Sequence, residues 1–157
     1  MLTDEAIMNV ILEKYHIRIG RKAAETLKMA LGVEWDLTRD NRICEVCGIS
    51  TITELPVKIA VTGEIVAQAL NPILYRIFSG ITSVIQMTPP AILGDIREHG
   101  IVLIGGVAQL KGLKELVLKV TDMKAHVADH PSYVNAVGAG SALEYMDYFR
   151  DSLQDLH

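Results

Sequence analysis

Ile101-Val102-Leu103-Ile104, followed at once by Gly105-Gly106 and then by Leu110, Leu113, Val117 and Val120 at helical spacing, sets the class of fold to be expected. The apolar run reads as a buried strand and the later spacing as a helix with one inward side. Neither glycine carries a Cβ, so a ligand can approach the backbone closely there, and a helix N-terminus beyond them offers free N–H groups. Many nucleotide sites are built this way. Paired glycines after a strand also mark plain tight turns, so the motif alone leaves both readings open.

Downstream, His126-Val127-Ala128 reads as a short extended piece leading to Asp129-His130-Pro131, and a last helix is expected from about Tyr133 to Phe149. Its small residues Ala136, Gly138, Ala139, Gly140, Ser141 and Ala142 would let it pack closely against the Gly-Gly loop or the sheet. Upstream, Thr88-Pro89-Pro90 breaks the chain, and a helical turn or two over Ala91–Glu98 ends at Gly100. Before that break, Glu64 to Gln86 carries a single charge, Arg76, over a length that could cross a bilayer. Its apolar residues recur in pairs at helical spacing, with Gln68, Asn71, Tyr75, Arg76, Ser79 and Ser83 off that stripe, so it reads as an amphipathic core helix instead. Thr62 is its expected N-cap, Glu64 lies in the first turn, and Pro72 should bend it.

Nearer the N-terminus, Thr3 can cap a helix that buries Ile7, Val10, Ile11 and Tyr15 and stops before His16. A second helix spans about Arg21 to Leu31, with Ala23, Ala24, Leu27 and Leu31 inward and Gly32 as the left-handed residue past its end. From Asn41 the period changes to two. Ile43–Cys47 and Pro56–Val61 form an expected hairpin, separated by polar residues and Gly48. The element order is ααββα, then αβαβα, and a boundary between two lobes could fall only near the start of the long helix.

With 157 residues, 50% of them hydrophobic and 22% charged, and a mean hydropathy of +0.27, the chain is neither a disordered tail nor a linker. Fifteen Lys+Arg against 19 Asp+Glu give a net charge of −4, and no basic block occurs, so nucleic-acid binding is not expected. The acidic start Met1-Leu2-Thr3-Asp4-Glu5 is unlike a signal peptide, and with only two cysteines a cytoplasmic location without a transmembrane segment is the expectation.

The pair Cys44-x-x-Cys47 invites a redox or metal reading. Residues three apart on a strand face opposite ways, however, and no second Cys pair completes a zinc site. His126 and His130 flank a strand and turn and are not assigned to a metal; Lys14, Arg18, Arg21 and Lys22 read as a solvated basic face. There is no Gly-x-x-x-x-Gly-Lys-[Ser/Thr] loop, no Gly-x-Ser-x-Gly elbow and no Asp-x-Gly phosphate turn, so no catalytic residue or metal ligand is named.

Several motifs in order resemble the MreB family of bacterial actins. They are Asp4-Glu5-Ala6-Ile7, Glu13-Lys14-Tyr15, Ile19 through Glu25, Leu55-Pro56, Thr88-Pro89-Pro90, Asp95-Ile96, Gly100 through Gly106, Leu110 through Leu113, Ala128 through Pro131, and Ala136 through Leu143. The likeness covers nearly the whole chain and only the second half of the family's sequence. It implies an α/β, partial actin-like ATPase fold, lobe II: a smaller α+β subdomain with the hairpin over residues 4–64, the helical and C-terminal part of a larger subdomain with an incomplete sheet over 65–150, and a tail over 151–157. Carried over, Glu25 and Lys28 would flank the adenosine of ATP or ADP, and Gly105 and Gly106 would receive it by backbone approach. Val107 stands where the family usually has a third glycine and is expected to narrow or close the pocket. The first lobe and the phosphate hairpin are not matched, so Mg²⁺ would come only with those phosphate sites, and hydrolysis by this chain alone is not expected.

The resemblance implies two functions. The first is a cell-shape cytoskeletal protein that retains the adenosine side of the ATP site and part of the filament-forming surface. The second is a nucleotide-free module that associates with a full-length MreB-like protein or with itself through an exposed strand edge. Another member of the actin-like and Hsp70-like superfamily would keep the fold and change the partner, and a redox protein built on the Cys pair has little support in the sequence.

Overall fold

The computed structural model describes residues 2–33 and 42–145. The distal end of the expected last helix, the tail over 151–157 and Asn41 lie outside the described residues. Among the described residues the segments of regular structure are, in chain order, α1 (Leu2–Tyr15), β1 (Ile17–Arg18), α2 (Arg21–Leu31), β2 (Ile43–Ser50), β3 (Pro56–Thr62), α3 (Gly63–Met87), α4 (Pro90–His99), β4 (Ile101–Leu103), a 3₁₀ turn (Gly106–Gln109), α5 (Leu113–Thr121), β5 (Ala125–Val127) and α6 (Val134–Glu144).

The hairpin is the two longer strands of a three-stranded antiparallel sheet in the order β1-β2-β3, with Val46 opposite Ile59 and Ile17 opposite Ser50. β1 escapes sequence reading because two residues carry no periodicity. Gly48 is not in the turn, as expected, but inside β2. A Cβ there would stand 2.5 Å from the Ile17 side chain and 2.9 Å from the Arg18 carbonyl, so only glycine lets β1 lie this close. Cys44 is half-buried on the inner face and Cys47 exposed on the outer one, and both are free thiols. On that outer face Lys58 holds the Glu45 carboxyl below its ordinary range through a 2.8 Å charged hydrogen bond, and Glu45 raises the Lys58 ammonium in return. The carboxylate's contribution is therefore present above its unfolded pKa and lost as pH falls through the lowered folded value; full exposure makes it small.

The core lies between α1, α2, the sheet and the first half of α3. Ile7 and Ile11 meet Ala24, Leu27 and Leu31, with Val46, Val61, Val66 and Leu70 closing the other side. α3 is continuous through Pro72, which is exposed. Thr62 occupies its N-cap position without a side-chain cap hydrogen bond. Buried positions on α3 stop at Leu74; beyond it the stripe expected from the sequence is half-covered at Ile77, Phe78, Ile81 and Ile85. No helix among the described residues is long and apolar enough to cross a membrane.

β4 and β5 pair in parallel as a two-stranded sheet. Around it, Leu113 and Val117 of α5 reach the main core, whereas Val120, expected inward, is 48% exposed. α4 and α6 bury no residue. The small-residue run of α6 therefore does not pack as expected, and a Cβ at Gly138 or Gly140 would meet nothing within 4 Å.

A backbone crossing ties the two ends of this arrangement together. Gly32, at φ +60°, turns the chain out of α2, and the Val33 N–H donates to the Lys111 carbonyl at 2.8 Å. Gly112, at φ +83°, starts α5 directly against the Val33 carbonyl. Here glycine is required twice, by conformation and by space.

Candidate functional site

A cavity of about 850 Å³ opens beside this crossing, lined from three parts of the chain: Thr3 of α1, the outer side of α2 from Lys22 to Ala30, and the segments that carry Gly106, Val107, Gln109 and Ser132. Four of the five residues singled out from the sequence, Glu25, Lys28, Gly106 and Val107, line it together. Gly105 is adjacent in the chain but does not line it. Its N–H donates to the Pro131 carbonyl at 2.7 Å, which ties the glycine pair to the loop bearing Ser132. In place of the α-helix expected directly after the glycines stands the four-residue 3₁₀ turn, and α5 begins only at Leu113. Val107 lies half-buried against the core and lines the cavity.

Helical spacing explains the α2 wall. With Ala24, Leu27 and Leu31 committed to the core, Lys22, Glu25, Thr26 and Met29 must face away from it. Glu25 is exposed at the rim. Lys28 is different: its ammonium donates to Asp4 Oδ1 at 2.6 Å, with side chains only 12% and 6% exposed. It therefore joins α2 to α1 as well as lining the cavity. Opposite, Gln109 Nε2 donates to Ser132 Oγ at 2.8 Å.

The sequence does not single out Gln109 or Ser132, and it reads Thr3 only as a helix cap. Thr3 instead lies inside α1, 5% exposed, and its hydroxyl is the one buried side-chain polar atom among the described residues without a hydrogen-bond partner. A narrow recess that shares Thr3, Lys28, Met29, Gly106 and Val107 with the cavity is closed by Leu110 and has room for no more than one water-sized group. Gln109 and Ser132 belong to segments 23 residues apart, and no local pattern announces their meeting.

The chemistry gathered here is the Glu25 carboxylate, the paired Lys28 ammonium and the exposed Lys22 one, hydrogen-bonding ends from Thr26, Gln109 and Ser132, and apolar surface from Met29 and Val107. Such a mixture suits a flat, polar-edged ligand better than a bare ion. Among the described residues no group of His, Cys, Asp or Glu could hold a metal.

A family model described as MreB/Mbl protein matches residues 2–151. The cell shape-determining protein Mbl of Bacillus cereus (strain ATCC 10987 / NRS 248) is 32% identical over 144 residues, covering 92% of this chain and 43% of that protein. The cell shape-determining protein MreB of Escherichia coli (strain K12) is 33% identical, with 92% and 41% covered. The chain thus spans less than half the length of these curated relatives. Among solved structures, MreB 5 of Spiroplasma citri bound to AMPPNP superimposes with a TM-score of 0.79 at 21% identity over 96% of this chain and 45% of that one. A MamK double helical filament does so with a TM-score of 0.66 at 19% identity, over 84% and 40%. These structural likenesses show the fold, a partial actin-like one.

Proposed function

The chain belongs to the MreB/Mbl protein family, and from that premise we propose that it serves the cell-shape cytoskeleton, carrying the nucleoside side of an adenine-nucleotide site and part of a self-associating surface. The observation that carries this reading is the cavity itself. Glu25 and Lys28 are about 80 residues from Gly106 and Val107 in sequence, yet they line one space. The S. citri neighbour was crystallised with AMPPNP and, in a second structure, with ADP, which makes an adenine nucleotide the first ligand to try. In this reading residues 4–64 form the smaller subdomain and 65–150 the larger one, with the nucleoside between α2 and the glycine pair. Mg²⁺ would arrive with the phosphates, whose contacts lie outside these residues.

Self-association has its own support. The neighbour MamK forms a double helical filament, and among the described residues no further strand pairs with the β4–β5 sheet, whose edges can take one from another chain or segment. The partner is either a second copy or a full-length MreB-like protein.

Titration calorimetry of the purified chain with ADP tests the nucleotide half. Saturable binding is expected, and Glu25→Ala should weaken it about tenfold, or ~1.4 kcal/mol, without moving the unfolding midpoint, because Glu25 is exposed. Heat-free titrations at millimolar ADP would end this half of the proposal. Sedimentation with a full-length MreB tests the other half, and a monomer that never enters the pellet would exclude association.

A further inference from the structure

Gln109 and Ser132 form a polar ledge on the cavity wall opposite α2, and both are exposed. Backbone hydrogen bonds fix the two residues. Gln109 ends the 3₁₀ turn, where the Leu110 N–H donates to the Val107 carbonyl at 3.0 Å. Ser132 lies in a turn closed by the Tyr133 N–H on the His130 carbonyl at 2.8 Å, and the bond from Gly105 to Pro131 joins the two turns. The side-chain bond from Gln109 Nε2 to Ser132 Oγ, 2.8 Å, then orients the amide. It uses one of the two N–H groups. The other N–H and the Oε1 acceptor have no partner among the described residues, so the amide keeps a donor and an acceptor on one rigid plane. On the α2 wall no exposed side chain matches it: Glu25 only accepts, Lys22 only donates, and the Thr26 hydroxyl gives its proton to the Lys22 carbonyl.

Resting on the nucleotide reading above, we propose that Gln109 reads the base of the bound nucleotide, its Oε1 accepting from the exocyclic amine of adenine and its free N–H donating to the neighbouring ring nitrogen, with Ser132 as the positioning residue. An adenine edge sets a donor beside an acceptor, and a glutamine amide matches such an edge with two parallel hydrogen bonds. Met29 and Val107, both on the cavity lining, give the faces of a planar base apolar surface. The site thereby selects a base by its amine and not only by its flatness.

The test measures, by calorimetry on the full chain, affinity for ADP and for purine riboside diphosphate, which differs only in lacking the amine. The wild type should prefer ADP about three- to tenfold. Gln109→Leu, which keeps the bulk and removes the amide, should lose about that factor for ADP and bind the two ligands alike. Ser132→Ala leaves the amide in place but unheld, and its preference should fall between those of the wild type and Gln109→Leu. Both side chains are exposed, so the ligand-free unfolding midpoints should stay with the wild type's. A full preference for ADP retained in Gln109→Leu, or no preference in the wild type, overturns the role of Gln109 and leaves the nucleotide reading standing. An undiminished preference in Ser132→Ala removes Ser132 as the positioning residue. Absent ADP binding by the wild type overturns the nucleotide reading first. Should Gln109→Leu fold poorly, Gln109→Met carries the same comparison.

Discussion

Gly112→Ala is expected to destabilise the chain by more than about 3 kcal/mol, read as a fall in the urea midpoint at unchanged slope. Two costs combine. At φ +83° any L side chain is strained by about 1–2 kcal/mol, and the new Cβ would overlap the Val33 carbonyl oxygen, well inside van der Waals contact. Backbone must move, and the hydrogen bond from Val33 to Lys111 goes with it. Gly105 supplies the control. It has a similar φ, +85°, with ψ 173° in the extended region that only glycine favours, but nothing lies within 4 Å of its Cβ position. Gly105→Ala should therefore cost only the conformational part, about 1–3 kcal/mol. Equal losses in the two variants would show that the crossing at Val33 contributes nothing.

The second large effect is expected from Lys28→Ala. Removing one partner of a buried ion pair leaves the other in a low-dielectric surround, typically at about 3–5 kcal/mol. Asp4 is only 4% exposed, and its carboxylate meets the Lys28 ammonium at 2.6 Å. Lys22→Ala, on the same helix but exposed, should stay within about 0.5 kcal/mol of the parent. The double replacement Asp4→Leu with Lys28→Met removes both charges together and should recover most of the loss, because an apolar pair of similar volume has no charge to desolvate. Equal midpoints for Lys28→Ala and Lys22→Ala would remove the ion pair from the account of stability. The comparison also separates the two duties of Lys28: a lysine that only touched ligand would leave the ligand-free midpoint alone.

Strong periodicity makes α2 readable to the residue, Arg21 to Leu31, and places Gly32 past its end. The same holds for α3, where pairs of apolar residues outweigh Pro72. The elements that escape such reading are set by neighbours distant in sequence. β1 is two residues long and exists because Gly48 lets it approach β2. The 3₁₀ turn after Gly105-Gly106 replaces an expected helix because Gly112 must start α5 at the Val33 crossing, a constraint invisible from 101–120 alone. In the site, Glu25, Lys28, Gly106 and Val107 come from motif resemblance and are brought together, while Asp4, the partner of Lys28, emerges only from the packing of α1 on α2. Thr3 misleads because a threonine ahead of an apolar helix is the usual sign of a cap.

The uneven core has a consequence for how the molecule opens. α1, α2 and the first half of α3 bury the residues that must all be released together, so their amide protons become accessible only when the whole cluster comes apart. α4 and α6 bury none, and their helical hydrogen bonds can break one turn at a time without disturbing that cluster. Opening free energy therefore falls along the chain, from a cooperative unit in the first half to separately fraying helices beyond Met87, with α5 held to the cooperative unit by Leu113, Val117 and the crossing at Val33.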